Sequence, residues 1–376
     1  MAIPSRFWVV RQIFGSKPDV PGDRLGWCTN VLSASTVASL LSQLTEVSAS
    51  LPATTPLGLW LPASMLQEDL GPLRQWLANT ETTVLGLNAF PIDAFHAPVV
   101  KCDVYQPHWA DSSRLTYTLA AGQALASLLP DGGSAGLSTV PIGWPDDDID
   151  SKMAASNIRA ACIQLADLSK QTGKDIHLAI EPEPGCVVST AADLARFVES
   201  YALVDLARDG LLRACLDACH LAVMHEPAGD AVSALAATDI TIGRLQLSSA
   251  PEADSAVDFA ELAEPRWLHQ TTIMRDGSCE FFRDIPEAIG NAAPGGLCRT
   301  HLHVPIHLTH LGNLRTTQSV ICDLLAATVH LRSRPMLEVE TYAWSALPTN
   351  ARAPSLGEDI AAELIWANHA IKEAGW

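Results

Sequence analysis

Short, largely apolar runs alternate along the chain with longer stretches in which apolar residues recur every three or four positions. A period near two indicates strands and a period near 3.6 indicates amphipathic helices, so this alternation is typical of parallel βα units. The short runs predict eight strands, at residues 25–29, 57–61, 84–88, 135–140, 176–181, 213–217, 243–247 and 336–341. The longer stretches predict helices that cross back between strands, among them residues 35–48, 113–129, 154–171, 191–201 and 316–331.

Eight strands in this order predict an α/β protein with a (β/α)8 TIM barrel. A doubly wound open sheet is the competing topology, but it usually has a glycine-rich phosphate turn after an early strand, and neither GxGxxG nor GxxxxGK[ST] occurs. Because no linker divides the chain, we predict one domain over residues 1–376, with a barrel core at about 25–348. A long insertion is expected between strands seven and eight, at about 250–335, and a C-terminal helix at about 357–374.

The composition excludes a disordered chain, because 48% of the 376 residues are apolar and only 18% are charged. The 24 basic and 42 acidic side chains give a net charge of −18. A chain this acidic, without a local basic patch, is repelled by phosphate backbones and by anionic membranes. We therefore expect no nucleic acid among its partners.

The sequence also argues against export and against insertion into a membrane. The apolar run at residues 7–10 is broken by Arg11 and is too short for a signal-peptide core, and no run reaches about eighteen apolar residues. The nine cysteines are an odd number without a CxxC pair, which favours free thiols in a reducing compartment. A cytoplasmic location is expected, and a homodimer is left open.

Several predicted strands end in polar residues that face the barrel interior. Side chains of a barrel strand point alternately to the interior and to the helices, so the apolar set identifies the inward set. The inward residues near the strand ends are then Glu181, Asp217, Gln246, Glu338 and Glu340. Carboxylates gathered away from water must become protonated or bind a cation.

A divalent metal ion resolves this conflict, with Glu181, Asp217, Gln246 and Glu340 as candidate ligands at the carboxyl ends of the strands. The alternative for each acid is a salt bridge at the barrel rim, but convergence from four strands favours the metal. Oxygen ligands suit Mn²⁺, Mg²⁺ or Co²⁺, and additional histidine shifts the preference toward Zn²⁺.

Three histidines are candidates for the same pocket. His220 follows Asp217 by three residues and lies within reach, either as a ligand or as a donor to a substrate oxygen. His301 and His303 share one face of an extended segment and are either site residues or a structural hydrogen-bonding pair. No GxSxG elbow, HExxH helix or EF-hand loop occurs, so nucleophilic acyl transfer has no support.

The chain contains seven ordered motifs: WCTN at 27–30, NAFP at 88–91 with FH at 95–96, EPEP at 181–184, DACH at 217–220, QLSSA at 246–250, HLHVP at 301–305 and LEVETY at 337–342. Together they resemble the EboE family, which is described as "metabolite traffic protein", is encoded in ebo gene clusters and belongs to the xylose-isomerase-like TIM barrels. The resemblance runs from about residue 25 to about residue 348.

The resemblance implies metal ligands at the ends of the last four barrel strands. Carried over by position, they fall on Glu181, Asp217, Gln246 and Glu340, and the superfamily's substrate-contacting histidine falls on His220. Gln246 stands where the superfamily usually has histidine. Either the metal is bound more weakly, or His303 supplies the missing nitrogen.

The same resemblance implies which side chains contact a substrate. Those that fall in matching motifs are Trp27, Asn88, Phe90, His96, His220, His301 and His303. For Phe90 and Phe95, a role as core residues that anchor loops is an equal alternative. The insertion that contains Trp267, His269 and Gln270 is expected to form a lid or a third wall of the pocket.

The first functional hypothesis is a metal-dependent isomerase or epimerase of a small polyhydroxy carbonyl compound, such as a sugar, a sugar phosphate or a cyclitol. Glu181 and Glu340 would exchange a proton next to a metal-bound carbonyl, with His220 beside them. The second hypothesis is a metabolite-binding or traffic protein that kept the barrel and lost the chemistry. A metal-dependent phosphodiesterase is disfavoured by the net charge of −18.

Overall fold

A computed structural model describes residues 24–93, 95–291, 293, 295–347 and 351–376. Eight parallel strands close into a barrel in the order β1-β14-β7-β6-β5-β4-β3-β2, which confirms the predicted (β/α)8 fold. The barrel strands are β1 (Leu25–Cys28), β2 (Leu57–Trp60), β3 (Val84–Asn88), β4 (Ser134–Thr139), β5 (Asp175–Ile180), β6 (Leu212–Asp217), β7 (Ile242–Leu247) and β14 (Met336–Val339). The apolar run at residues 7–10 and the predicted end of the core near 348 lie outside the described residues.

Helices surround the barrel on its outer face. In chain order the helices are α1 (Val37–Ser48), α2 (Gly71–Thr80), α3 (Ser112–Leu128), α4 (Ser151–Thr172), α5 (Ala191–Ser200), α6 (Val204–Arg208), α7 (Ala218–Val223), α8 (Ala228–Ala237), α9 (Ile285–Asn291), α10 (Gln318–Thr328) and α11 (Leu356–Glu373). Of these, α9 packs within the insertion between β7 and β14 and not around the barrel. Their starts follow local chemistry: capping boxes begin α1 at Thr36 and α5 at Thr190, and Asp150 caps α4. Among the described helices, none combines the length and the apolar character that a bilayer crossing requires.

The barrel interior holds a fully buried ion pair. Arg244 on β7 points inward, and its Nη1 lies 3.4 Å from Oε2 of Glu338 on β14. The guanidinium also donates to the carbonyl oxygen of Gly136 at 3.1 Å. Gly58 and Gly86 face these two side chains so closely that a Cβ at either position would collide with them. Glycine at these inward positions therefore makes room for the pair.

An antiparallel accessory sheet is inserted between β7 and β14. Its order is β10-β9-β11-β8-β13-β12, and its strands are β8 (Pro251–Ala253), β9 (Thr271–Arg275), β10 (Ser278–Phe282), β11 (Leu297–Thr300), β12 (His310–Leu311) and β13 (Leu314–Thr316). Glu252 on β8 pairs at 2.9 Å with both Arg299 and Arg315 of the neighbouring strands. A second hydrophobic core joins this sheet to the barrel loops through aromatic residues that include Trp60, Phe95, Trp267 and Trp344.

One buried carboxyl group on α11 makes the stability depend on pH. Glu363 is 1% exposed and accepts hydrogen bonds from the Thr341 hydroxyl at 2.6 Å and the Ile306 amide at 3.1 Å. Burial raises the pKa of Glu363 from an ordinary value of 4.5 to about 8. Between these two values the unfolded chain binds fewer protons than the folded chain, so this group makes stability fall as pH rises.

We expect Glu363→Gln to flatten that decline, because glutamine does not ionise. Urea unfolding of both proteins at several pH values between 4.5 and about 8 measures the effect. Glu373→Gln, at an exposed position on the same helix, is the matched control and should keep the slope of the wild type. If the unfolding free energy of Glu363→Gln falls as much with rising pH as that of the wild type, Glu363 is not the group responsible for the decline.

Candidate metal centre

Three carboxylates meet where the barrel strands end. Glu181 directly follows β5, Asp217 ends β6 and Glu340 directly follows β14. One oxygen of each lies within 4.8 Å of one oxygen of the others, and all three residues are buried. The period of two along each strand brings them to the same interior layer, as the sequence predicts.

The electrostatics of this cluster fit a cation. Burial, and next the charges of Glu340 and Asp217, raise the pKa of Glu181 well above its ordinary value. Burial, and next Asp217, do the same for Glu340. Within the described residues, Glu181 Oε2 and Asp217 Oδ2 have no hydrogen-bond donor. Buried carboxylate oxygens without donors are the arrangement that a divalent ion would satisfy.

Neighbouring polar groups hold two of the carboxylates in place. Asn30 donates a short hydrogen bond to Glu340 Oε1, and the amide of Asn88 lies 3.5 Å from the same oxygen. The Ser248 hydroxyl donates to Asp217 Oδ1 at 2.7 Å, and the backbone amide of His220 donates to the same oxygen at 2.9 Å. Asp217 thus also caps α7.

The sequence left two candidates for the fourth metal ligand, Gln246 and His303. The carbonyl oxygen of Gln246, which is in register with Asp217, accepts a hydrogen bond from the Cys215 thiol at 3.3 Å. His303 lies beside the cluster: its Nδ1 donates to the backbone oxygen of Glu340 at 2.8 Å. Its Nε2 lies 3.7 Å from Asp217 Oδ2. The geometry favours His303 over Gln246, and both roles remain predictions.

A pocket opens above the carboxylates. Its polar wall contains Glu181, Glu183, His220, His301, His303 and Glu340, and its aromatic wall contains Phe90, Phe95, Tyr105, Trp267 and Tyr342. Asn88 also lines it, so Asn88, Phe90, His220, His301 and His303 lie where the sequence predicts substrate contacts. Burial lowers the pKa of His303 to about 4 and that of His301 well below its ordinary value.

Two predicted substrate contacts lie elsewhere. Trp27 packs in the hydrophobic core between the barrel and its helices, because Gly26 and Cys28 occupy the inward positions of β1. His96 lines a neighbouring cleft, and its Nε2 lies 2.7 Å from the backbone oxygen of Asn30. The structure therefore corrects both assignments: Trp27 supports the fold, and His96 supports the loop that carries Asn30.

Glu183 and Tyr105 are polar residues of the pocket region that the sequence did not predict, and Gln270 was predicted only as part of a lid or wall. The Tyr105 hydroxyl donates to Glu183 Oε1 at 2.6 Å, and the Gln270 amide group donates to the Tyr105 oxygen at 2.6 Å. The spacing of Glu181 and Glu183 places both on one face of an extended segment, which was the available signal for Glu183. Tyr105 and Gln270 lie outside the barrel strands, so strand parity gives no indication of them.

No family model and no curated protein sequence matches the chain. Resemblance to EboE therefore stays a prediction. Three solved structures that match are a xylose isomerase-like TIM barrel protein from Mycobacterium smegmatis in complex with magnesium, an IolI protein with a bound zinc atom, and a fusion of a xylose isomerase-like TIM barrel with 4-hydroxyphenylpyruvate dioxygenase.

The magnesium complex is 10% identical, with 94% of this chain and 98% of that chain covered and a TM-score of 0.52. The IolI protein is 12% identical, with 93% of this chain and 99% of that chain covered and a TM-score of 0.50. The fusion protein is 11% identical, with a TM-score of 0.49. The match covers 93% of this chain but only 41% of the fusion protein. The chain thus has the fold of the xylose isomerase-like TIM barrels.

Proposed function

We propose that the protein is a divalent-metal-dependent isomerase or epimerase of a small polyhydroxy carbonyl compound. The observation that carries this proposal is the pair Glu181 and Glu340, two buried carboxyl groups with raised pKa values at the base of a pocket with an aromatic wall. Sugars, sugar phosphates and cyclitols are the substrate classes we consider. The EboE resemblance supports a role in secondary metabolism of the ebo type.

The residues that would hold the metal ion are Glu181, Asp217 and Glu340, with His303 as the nitrogen ligand. Three oxygens and one imidazole suit Mn²⁺, Mg²⁺ or Co²⁺ and also admit Zn²⁺. When bound, the ion supplies positive charge that polarises a carbonyl group and lowers the energy of the anion formed from it.

The carboxyl groups would move the proton. One of Glu181 and Glu340 would accept the proton from the carbon next to the carbonyl. The other returns a proton to the neighbouring atom in isomerisation, or to the opposite face of the same carbon in epimerisation. Asn30 and Asn88 fix the Glu340 carboxyl group during this exchange. The aromatic wall would exclude water and pack against the carbon skeleton.

The test is proton exchange at the substrate carbon. Wild type, Glu181→Gln and Glu340→Gln, each loaded with Mn²⁺, would be incubated in D₂O with a panel of free ketohexoses, their phosphates and inososes, and exchange followed by mass spectrometry. We expect either substitution to slow exchange by about 100-fold or more. Glu280→Gln, on exposed β10, is the control and should exchange as the wild type does. Unchanged exchange in both site variants would contradict the proposed roles.

A metabolite-binding or traffic protein is the second candidate. The observation that favours it is Gln246, whose oxygen bonds to Cys215 at the position where the superfamily usually has a metal-binding histidine. Purified protein without bound divalent metal, and without a gain in Tm on addition of Mn²⁺ or Zn²⁺, would support this candidate over the enzyme.

A further inference from the structure

A cleft with basic side chains lies beside the pocket, and Tyr342 lines both. The basic residues of this cleft are Arg266, Arg352 and His96, and we call it the arginine cleft. Its volume is about 470 Å³, which is within the range of small-molecule sites. The proton transfer proposed above uses none of the three basic residues, so it does not explain why they gather here.

The two guanidinium groups meet at Ser345. Nη1 of Arg266 lies 3.5 Å from the Ser345 hydroxyl oxygen, and Nη2 of Arg352 donates to the Ser345 backbone oxygen at 3.0 Å. The two arginines come from separate segments, one between β8 and β9 and the other between β14 and α11. Positive charges held next to the same residue repel each other, so an anion between them would lower the electrostatic energy.

Neither arginine has a carboxylate partner. In the part of the chain that the structure describes, no ion pair involves Arg266 or Arg352. The acidic residue of the cleft is Asp359, which is 6% exposed and accepts a hydrogen bond from the Ala353 amide at 2.6 Å. Because the chain has a net charge of −18, two arginines without an acidic partner point to a ligand that supplies the negative charge.

Both guanidinium groups are held in place by the protein. The Arg266 guanidinium lies over the Trp267 ring, 5.0 Å from its centroid. Arg352 donates to the backbone oxygen of Leu347 from Nη2 at 2.6 Å and from Nε at 3.1 Å. Burial and, to a smaller extent, the charge of Arg266 lower the pKa of His96 from 6.5, so the positive field of the cleft reaches this imidazole. Fixed donors lose little freedom when an anion binds.

We propose that the arginine cleft binds a phosphate group. A phosphate group presents three oxygens and can accept from two guanidinium groups at once, whereas the two oxygens of a carboxylate are filled by one bidentate arginine. Half-buried arginines that approach from two segments therefore fit phosphate better than carboxylate.

The position of the cleft suggests where the phosphate group comes from. The Tyr342 ring lies 4.6 Å from the His303 ring in the pocket and 5.1 Å from the Trp267 ring, over which Arg266 lies. A polyhydroxy carbonyl compound in the pocket would reach the cleft with a phosphoryl group that extends past Tyr342. This link rests on the proposed function and selects its phosphorylated substrates, whereas phosphate binding by the cleft does not depend on it.

The test titrates inorganic phosphate into the full-length protein by isothermal titration calorimetry. A chelator first removes metal ions, so that none can bind the anion in the carboxylate centre. We expect saturable binding by the wild type and binding about 10-fold or more weaker in Arg266→Gln, which loses charged hydrogen-bond donors. Arg332→Gln, at an exposed position before β14, is the matched control and should bind as the wild type does.

A second variant keeps the test decisive if Arg266→Gln does not fold. Arg352→Gln removes the other guanidinium group and should weaken phosphate binding by a similar factor. No saturable binding by the wild type, or equal Kd values in the wild type and the arginine variants, would overturn the phosphate site.

A ketohexose phosphate and the free ketohexose, titrated into Mn²⁺-loaded protein, distinguish the two sources of phosphate. If the ester binds more tightly than inorganic phosphate and loses this advantage in Arg266→Gln, the cleft holds the phosphoryl group of a substrate. Equal affinities would assign it to free phosphate. Unchanged proton exchange in Glu181→Gln and Glu340→Gln would remove the proposed function, and phosphate binding to the stripped protein would still stand.

Discussion

Replacing Arg244 by Met is expected to lower the free energy of unfolding by roughly 3–5 kcal/mol, because it leaves Glu338 as an unpaired acid inside the barrel. The two side chains are 3% and 0% exposed and are 3.4 Å apart, so solvent cannot compensate for the lost partner. Unfolding in urea, with ellipticity and tryptophan fluorescence as independent probes, measures the difference.

The matched control is the double variant Arg244→Met, Glu338→Leu. Apolar replacement of both members of a buried ion pair is often neutral or stabilising, so we expect the double variant to recover most of the lost free energy. If the single variant is as stable as the wild type, the pair does not carry compensating charges. If the double variant is less stable than the single one, packing around Gly58 and Gly86 outweighs electrostatics.

Asp217→Asn is expected to have opposite effects with and without metal. Asparagine keeps an oxygen that can accept from the Ser248 hydroxyl and the His220 amide, but it removes the negative charge that contributes to the raised pKa values of Glu181 and Glu340. Without metal the variant should therefore unfold at a higher temperature than the wild type. With Mn²⁺ at about 100 times the wild-type Kd, the wild type should gain roughly 2.7 kcal/mol and the variant little or none.

Calorimetry of both proteins, stripped of metal and then titrated with Mn²⁺, distinguishes these outcomes. Asp258→Asn, an exposed substitution of the same kind, should behave as the wild type in both states. An equal gain on Mn²⁺ addition in the wild type and in Asp217→Asn would show that Asp217 is not a ligand and would remove the basis of the proposed chemistry.

The barrel and its three carboxylates could be predicted because both follow from short-range periodicity. In β5 and β6 one face is continuously apolar, so the acidic residue at the end of β6 and the one directly after β5 mark the interior. Trp27 was assigned by resemblance to a family motif, and strand parity offers no check on it, since each residue of β1 is apolar or glycine and no polar side chain distinguishes the two faces. Arg244 lies two residues before Gln246 on β7, so both side chains point into the barrel, although the sequence prediction included only Gln246.

The accessory sheet could not be predicted in the same way. Its strands have two to five residues, too few for a period to be recognised, and β10 carries exposed residues at four of its five positions. The contacts that shape the pocket also join distant segments: Tyr105 meets Glu183 and Gln270, and His220 meets His301. Such pairings are set by tertiary packing, which leaves no local pattern in a single sequence.

The hydrogen bonds of Glu340 have a consequence for the order of assembly. Glu340 follows the last barrel strand to be synthesised, yet its carboxyl group is held by Asn30, which follows the first, and lies beside Asn88 at the end of the third. The final seam joins β14 to β1 and β7, with the whole accessory sheet lying between β7 and β14 in the chain. A nascent chain whose last strand has not yet paired with β1 cannot form the contacts of Asn30 and Asn88 with Glu340. The pocket is therefore complete only after the barrel has closed.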